Sequence, residues 1–239
     1  MRCVFVGLEY AGKTTLINLL TKYYQARGQG VHGDDHFTIP DSTLSPESRA
    51  LAVDFPDDVK ERMQRMQIQY HVEVIRNYPN TLISGWHLEE AIYCDFYGDD
   101  PDHRYYKRYA YSFQRLYESM VLEARLPDVI LFNVTASDEA IRQRMQDDPH
   151  EYPVIKEGDI AELKARFAAE VEKCLFTHKG YKIDLDTTNK TPQESLDELL
   201  LLSERRITAG ELAIRSLPVP EGEYEVRYEN GVRRMVPKG

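Results

Sequence analysis

The sequence has few cysteines, no long apolar runs and no excess of basic residues. Its three cysteines, Cys3, Cys94 and Cys174, stand far apart with no paired spacing, so neither a disulfide framework nor a zinc site is expected. No apolar run approaches the length of a membrane span, and the N-terminal apolar stretch is too short for a signal peptide. We therefore expect a cytoplasmic protein that does not insert into membranes.

The charge balance is strongly acidic. Forty Asp and Glu residues stand against 30 Lys and Arg residues among 239, which gives a formal net charge of −10. A general nucleic-acid binder needs a basic surface to displace counterions, so the composition argues against nucleic acid as a partner. An anionic small ligand is compatible with this balance because it needs only one local cationic pocket.

Strand and helix patterns alternate along most of the chain. Strands are predicted at "CVFVG", "NTLISGW", "PDVILFNV" and "YKIDLDT", with a weaker strand near 30–34. Helical periodicity fills the intervals, and Ser137 and Thr191 are predicted to cap two of the helices. This alternation predicts an α/β fold with a parallel sheet covered on both faces.

One long helix is predicted between Pro56 and Pro79. Its apolar residues fall on one helical face, and these are Val59, Met63, Met66, Tyr70 and Val74. The pattern is that of an amphipathic helix.

The C-terminal part departs from the alternation of strands and helices. "EYEVRYENGVRRMVPKG" alternates with period two around Asn230 and Gly231, which is the strongest short signal for a hairpin. We predict one main domain over residues 1–208 and an extension over residues 209–239 that carries a β-hairpin.

The string "GLEYAGKTT" predicts a phosphate-binding loop. Gly7, Gly12, Lys13 and Thr14 complete the pattern G-x-x-x-x-G-K-S/T between a buried strand and an amphipathic helix. Such glycines let backbone N–H groups turn towards phosphate oxygens, and the helix adds its positive N-terminal end. Lys13 is the predicted catalytic cation on the outer phosphates, and Thr14 is a predicted magnesium ligand. The remaining predicted nucleotide-binding residues of the loop are Glu9, Tyr10, Ala11 and Thr15.

The loop by itself also resembles that of small GTPases of the ADP-ribosylation-factor type. Those proteins need Asp-x-x-Gly at the end of the third strand, where this chain reads "LISGWH". They also need Asn-Lys-x-Asp to read guanine, but "NKTP" at 189–192 has proline in place of the aspartate. The GTPase interpretation fails on both counts.

Over roughly residues 1–205 the chain resembles P-loop kinases of the thymidylate kinase and deoxynucleoside kinase group. The resemblance is carried by "GLEYAGKTT", "LPDVILFNVTASDEAIRQRM", "IKEGDIAELKARFAAEV" and "IDLDTTNKTPQESLDELL". It implies a three-layer P-loop kinase fold around a parallel sheet of about five strands. It also implies ATP as donor, Mg2+ as metal, a lid near 142–158 and pairing into a homodimer. By the same resemblance, Arg142 and Arg144 are lid-side arginines for the transferring phosphate, and Asn189 touches the donor base.

Two aspartates in "GDDHF" are candidate catalytic carboxylates. Asp34 and Asp35 end the second strand, at the carboxyl edge where open α/β sheets bind ligands. We favour Asp35 as acceptor base or magnesium partner, with Asp34 as the alternative; a pair of turn caps is the other interpretation. His36 is a candidate substrate contact or a packing residue.

The sequence departs from the kinase group after the third strand. Members of that group carry an acidic residue and an arginine there, whereas this chain reads "SGWH" from Ser84. The substrate of the group therefore does not carry over. Trp86 is predicted either to stack on a flat acceptor or to lie in the core. Glu89 and Glu90, one turn further on, are expected on a solvated helix face, and partial replacement of the missing carboxylate is the alternative.

A tyrosine-rich segment from about 103 to 125 is predicted to be helical. Arg104, Arg108 and Tyr109 are candidate contacts for an anionic acceptor. The spacing of Tyr106, Tyr109, Phe113 and Tyr117 is first of all that of a packing stripe, which is the preferred interpretation of this segment.

Together these features predict an ATP- and Mg2+-dependent phosphotransferase acting on a nucleoside or nucleoside monophosphate. Two alternatives stay open. One is a kinase for a non-nucleotide hydroxyl, such as a natural-product or antibiotic alcohol, and the other is a nucleotide-responsive binding protein without turnover.

Overall fold

A parallel sheet lies at the centre of the structure, which is a computed structural model. In the described part of the chain its five strands are β1 (Arg2–Val6), β2 (His32–Asp35), β3 (Thr81–Ser84), β4 (Ile130–Thr135) and β5 (Lys182–Asp186). They lie in the order β2-β3-β1-β4-β5, and every neighbouring pair is parallel. The predicted five-stranded parallel sheet is confirmed.

Helices fill the intervals between these strands. The structure describes residues 1–35, 45–107, 121, 123–150, 153–219, 224–229 and 232–237, and gives only the backbone of Asp35, Arg49 and the last two ranges. The helices are α1 (Lys13–Gln25), α2 (Pro46–Val53), α3 (Asp57–Asn77), α4 (His87–Tyr97), α5 (Asp138–Asp147), α6 (Ile160–Lys173), α7 (Leu175–His178), α8 (Pro192–Ser203) and α9 (Ala209–Arg215). Most of the tyrosine-rich segment predicted as a helix lies outside the described residues.

The sheet separates two hydrophobic cores, because side chains alternate between its faces. Val4 belongs to one core, where α3, α4 and α6 cover the sheet. Phe5 belongs to the other, under α1 and α8, and its ring stacks on Phe132 at 4.9 Å between centroids. The three cysteines are buried as free thiols. This arrangement is the three-layer architecture that was predicted.

Helix α3 forms where it was predicted, but it turns a different face inward. Met66 and Tyr70 of the predicted apolar face are 65% and 52% exposed, whereas Lys60 and Gln64 are buried. The expectation of one shared apolar face on this helix is therefore wrong as a guide to its packing. Val74, near its C-terminal end, is the member of the predicted face that is buried.

The predicted helix caps are present. The Ser137 hydroxyl accepts the N–H of Ala140 at 3.1 Å at the start of α5. Thr191 and Glu194 form a reciprocal capping box at the start of α8. These bonds use backbone donors that the first turn of a helix leaves unpaired, so they fix where each helix begins.

The strand order brings the loop after β1 to the point where the chain changes direction across the sheet. From β1 the chain runs to β2 and β3 on one side, and then to β4 and β5 on the other. The carboxyl ends of β1, β3 and β4 lie next to one another, since Phe5 pairs with Ser84 and Val6 with Asn133. In open α/β sheets this crevice is where ligands bind.

Two antiparallel strands, β6 (Tyr224–Glu229) and β7 (Val232–Pro237), lie in the C-terminal part of the chain. The turn residues Asn230 and Gly231 lie outside the described residues, so the complete hairpin stays a prediction, as does the domain boundary after residue 208. None of the described helices combines the length and the apolarity needed to cross a membrane.

Replacing Gly7 with alanine is expected to destabilise the fold. A Cβ at this position would lie 2.1 Å from the backbone oxygen of Val134, and the residue has a φ of +146°. Because backbone must shift to relieve this overlap, we expect a loss of about 2 kcal/mol or more in the free energy of unfolding. Urea denaturation measures the loss.

Gly158→Ala is the control for this prediction. An added methyl group there meets no described atom within 4 Å, and φ is not in the left-handed region. Equal stability of the two variants would contradict the proposed close approach at Gly7.

Candidate functional site

The loop between β1 and α1 has the backbone geometry of an anion cradle. Gly7, Tyr10 and Gly12 have φ values of 146°, 64° and 99°, which lie in the region that glycine adopts most readily. Gly12 is the N-cap of α1 and brings no side chain to the first N–H groups of the helix. Those groups are therefore available to an anionic ligand at the positive end of α1.

Lys13, the first residue of α1, turns its side chain back into the loop. The ammonium contacts the backbone oxygen of Gly7, lies 3.5 Å from that of Leu8, and lies 3.3 Å from Oε1 of Glu89. The lysine is thus held by groups of the protein itself in this state.

A cavity of about 560 Å³ opens above the loop. Its size is within the range of small-molecule sites. It brings together most of the predicted nucleotide-binding residues, which are Glu9, Tyr10, Ala11, Gly12, Lys13, Thr14 and Thr15, and it adds Arg144. Ser84, Glu89 and Tyr93 also line it, as do Thr187 and Lys190.

Arg144 and Arg142 occupy different environments, as expected for arginines two residues apart on a helix. Nη1 of Arg144 donates to the backbone oxygen of Tyr10 at 2.9 Å, and Nη2 donates to that of Thr187 at 2.9 Å. Arg142 instead forms ion pairs with Glu139 and Glu157 at 4.0 and 3.4 Å. Only Arg144 lines the cavity.

Thr187, after β5, is a site residue that the sequence analysis missed. Its buried hydroxyl lies within donating distance of the backbone oxygens of Ala11, at 2.9 Å, and Thr135, at 3.1 Å, so it links the loop to the end of β4. The signal was its position in "TTNK" at the end of the last strand, where Asn189 was chosen instead. Asn189 is exposed, and its neighbour Lys190 lines the cavity.

A second set of contacts, here called the latch, joins the loop to the segment after α5. Oε2 of Glu9 accepts the N–H groups of Val154 at 2.8 Å and Ile155 at 3.1 Å, and Oε1 contacts Nδ1 of His150. The ring of Tyr10 stacks on that of His150 at 4.1 Å between centroids, and its hydroxyl accepts the N–H of His150. The latch therefore fixes part of the predicted lid to the loop.

Glu89, at the first turn of α4, belongs to the site. The expectation of a solvated position is wrong for it and for Glu90, since they are 3% and 4% exposed. Oε1 of Glu89 accepts the N–H of Gly7 at 3.0 Å and pairs with Lys13. Burial raises the pKa of the Glu89 carboxyl, and the charge of Lys13 opposes this rise.

The predicted carboxylates of β2 lie at the same edge of the sheet but outside the cavity lining that the structure describes. Oδ2 of Asp34 is 3.6 Å from Nε2 of the buried His71. The backbone of Asp35 pairs with Ser84 of β3, and the structure does not describe its side chain. Three predicted substrate contacts, His36, Arg108 and Tyr109, lie outside the described residues.

Two other predicted substrate contacts are engaged within the protein. Trp86 is 1% exposed, and its indole N–H donates to Oε1 of Glu123 at 2.9 Å. A place in the core, one of the two that the sequence left open, accounts for these contacts. Arg104 lies at the surface and forms an ion pair of 2.5 Å with Asp54.

The donor set at the loop suits a magnesium ion that arrives with a nucleotide. In the described ranges no group of three or more His, Cys, Asp or Glu side chains could hold a metal ion. Thr14 offers an exposed hydroxyl at the cavity, and Asp35 is a carboxylate residue at the same sheet edge. Magnesium commonly takes one or two such protein oxygens and completes its shell with phosphate and water.

Comparison with known proteins supports the fold. The sequence matches no protein-family model, and no curated protein matches it. Among solved structures it is similar to thymidylate kinase from Candida albicans, with a TM-score of 0.58 and 16% identity over 85% of this chain and 90% of that one. It is also similar to deoxyadenosine kinase from M. mycoides, with a TM-score of 0.53 and 16% identity over 84% and 98% of the two chains.

A third similar structure is the YorR protein from Bacillus subtilis, in complex with phosphorylated GDP. The TM-score is 0.53, and the identity is 14% over 85% of this chain and 96% of that one. The chain thus has the fold of P-loop nucleoside and nucleotide kinases, and the predicted resemblance is confirmed at the level of the fold.

The latch is expected to weaken as pH rises. The contact with Glu9 raises the pKa of His150 above its ordinary 6.5, so the folded state favours the charged imidazole. The stabilisation is complete below the unfolded pKa and is lost as pH rises through the folded one. NMR titration should show a raised pKa for His150 and a return towards the ordinary value in Glu9→Gln.

The control for this titration is His178. This histidine ends α7, outside the cavity lining, and its NMR signals should be unaffected by Glu9→Gln. An unchanged His150 titration in Glu9→Gln would contradict the latch.

Proposed function

We propose that this protein is a magnesium- and ATP-dependent phosphotransferase that passes the γ-phosphate to a small nucleoside-like acceptor. The observation that carries the proposal is the convergence of the loop, Lys13 and Arg144 on one cavity at the crevice of the sheet. The likeness of the fold to nucleoside and nucleotide kinases supports it. The kinase domain would span residues 1–208 and act in the cytoplasm.

Each part of the cradle has a role in such a transfer. Backbone N–H groups of the loop would bind phosphate oxygens, and Lys13 would move from its loop contacts to the outer phosphates. Arg144 would stand at the donor side, where it already bridges Tyr10 and Thr187. Fixed cations at these positions stabilise the charge that develops on the transferring group. Thr14 and Asp35 would hold a magnesium ion, which would supply positive charge against the phosphates.

The acceptor would bind towards β2 and β3. Asp35 is the proposed base or metal partner and Asp34 its alternative; the other proposed acceptor contacts are His36, Arg104, Arg108 and Tyr109. The names thymidylate kinase and deoxyadenosine kinase, borne by two similar structures, support a nucleoside-like acceptor. Ser84 at the end of β3, where an acidic residue was expected, favours a non-nucleotide hydroxyl as the second candidate.

Lys13→Ala is expected to abolish the transfer. Removing the cation that stabilises the outer phosphates should reduce acceptor-dependent ADP formation by about 100-fold or more. The measurement is ADP production from magnesium-ATP with nucleosides, nucleoside monophosphates and small alcohols. Lys22→Ala is the matched control, because Lys22 is an exposed lysine in the last turn of the same helix.

The panel separates the candidate functions. ADP formation that depends on one class of acceptor names that class, and its loss in Lys13→Ala supports the kinase. Binding of ATP without turnover on any acceptor would favour the nucleotide-responsive binding protein and contradict the kinase.

Arg144→Ala and Arg142→Ala are expected to differ sharply. Arg144 holds the loop and lines the cavity, so its loss should weaken ATP binding by about tenfold or more. Arg142 pairs with surface glutamates, so its loss should leave the affinity nearly unchanged. Titration with a fluorescent ATP analogue measures both; equal effects would show that the lid-side cation is not Arg144.

A further inference from the structure

Glu89 places a buried negative charge against the cation of the phosphate-binding loop. Its Oε1 lies 3.3 Å from Nζ of Lys13 and accepts the N–H of Gly7 at 3.0 Å. The carboxylate is 3% exposed, so water does little to screen the pair. In this state the ammonium of Lys13 is compensated by Glu89 and by backbone oxygens of the loop.

A nucleotide in the cradle would compete with Glu89 for the same ammonium. In the proposed function Lys13 binds the outer phosphates, which carry more negative charge than one carboxylate. Breaking a buried ion pair from one side leaves the other charge without compensation, which is strongly unfavourable. A buried carboxylate in that position relieves the cost by binding a proton.

We propose that Glu89 is a positioning residue that holds Lys13 inside the loop, and that nucleotide binding transfers the lysine to the phosphates while Glu89 takes up a proton. The proton comes from solvent and forms an O–H bond on the carboxylate, and no other bond changes. The proposal rests on the nucleotide binding proposed above. It adds that the affinity for nucleotide is linked to pH through a residue of α4.

Among the described residues that interact electrostatically with Glu89, Lys13 is the cation. The groups that face it are Lys13 from α1, Glu9 from the loop and Tyr93 from its own helix. Glu9 adds negative charge, and burial raises the pKa of Tyr93 well above its ordinary value, so that hydroxyl stays neutral. Among the described residues Lys13 is the cation that favours ionised Glu89, so its departure favours the protonated carboxyl.

The other carboxylates that line the cavity do not share this position. Glu9 is held by the backbone N–H groups of Val154 and Ile155 in the latch. Asp147 and Asp148, at the end of α5, are exposed to solvent, and Oδ1 of Asp147 accepts the side-chain N–H of Gln143 at 2.8 Å. Among the carboxylates that line the cavity, Glu89 is therefore the one that pairs with Lys13.

Calorimetric titration with magnesium and a non-hydrolysable ATP analogue tests the proposal. The protein is titrated at neutral pH in phosphate and in Tris, whose different ionisation enthalpies report the protons exchanged. The wild type should take up protons, and its affinity should fall as pH rises between about 6 and 8. Glu89→Gln should take up fewer protons and bind at least about fivefold more tightly, because Lys13 is released.

Glu90→Gln is the matched control. Glu90 is the adjacent residue on α4 and is also buried, but it does not line the cavity. This variant should take up as many protons as the wild type. Lys13→Met is an independent test if Glu89→Gln does not fold. This variant has no ammonium to transfer, so its proton uptake on nucleotide binding should also disappear.

The outcomes separate this proposal from the proposed function. Nucleotide binding and phosphotransfer with no proton uptake, or with equal uptake in Glu89→Gln, overturn the role of Glu89 alone. Absence of nucleotide binding in the wild type overturns both. A Glu89-dependent uptake without any phosphotransfer supports the positioning role and contradicts the kinase.

Discussion

The site depends on the close approach of Gly7 to the backbone of β4. This approach lets the chain leave β1 at the point where the sheet changes direction, and it starts the turn that ends at Gly12 and α1. The Thr187 hydroxyl links the loop to the end of β4, and Arg144 joins the loop to Thr187. The shape of the cradle therefore depends on contacts with β4 and with the residues that follow β5.

Opposite charges are paired around the loop. Two carboxylates, from Glu9 and Glu89, and two basic side chains, from Lys13 and His150, lie against it in pairs. In a protein with a net charge of −10, this pairing gives the cavity local cations that are already held in place. A phosphate ligand then replaces the carboxylates that pair with these cations. Salt screens the negative charges on distant parts of the surface, so they oppose phosphate binding only weakly.

The sequence was sufficient for the features that depend on local order. The strand β1, the loop, the cap at Ser137 and the capping box at Thr191 involve residues a few positions apart, and each was predicted. The contact of Glu89 with Gly7 spans 82 positions, and that of Glu9 with Val154 spans 145. Local periodicity carries no information about such pairs, so Glu89 was assigned to solvent and the latch was not foreseen.

Helix α3 shows why periodicity failed at one element. Its buried side carries Lys60, Gln64 and His71, while Met66 and Tyr70 face outward. Lys60 donates to the backbone oxygen of Arg104 at 2.7 Å, and His71 lies 3.6 Å from Asp34 of β2. Polar groups are buried in this way where hydrogen bonding matters more than apolar packing, and conflicts between pattern and fold concentrate at functional sites. The polar side chains that α3 buries thus support the proposal that the acceptor binds on this side of the sheet.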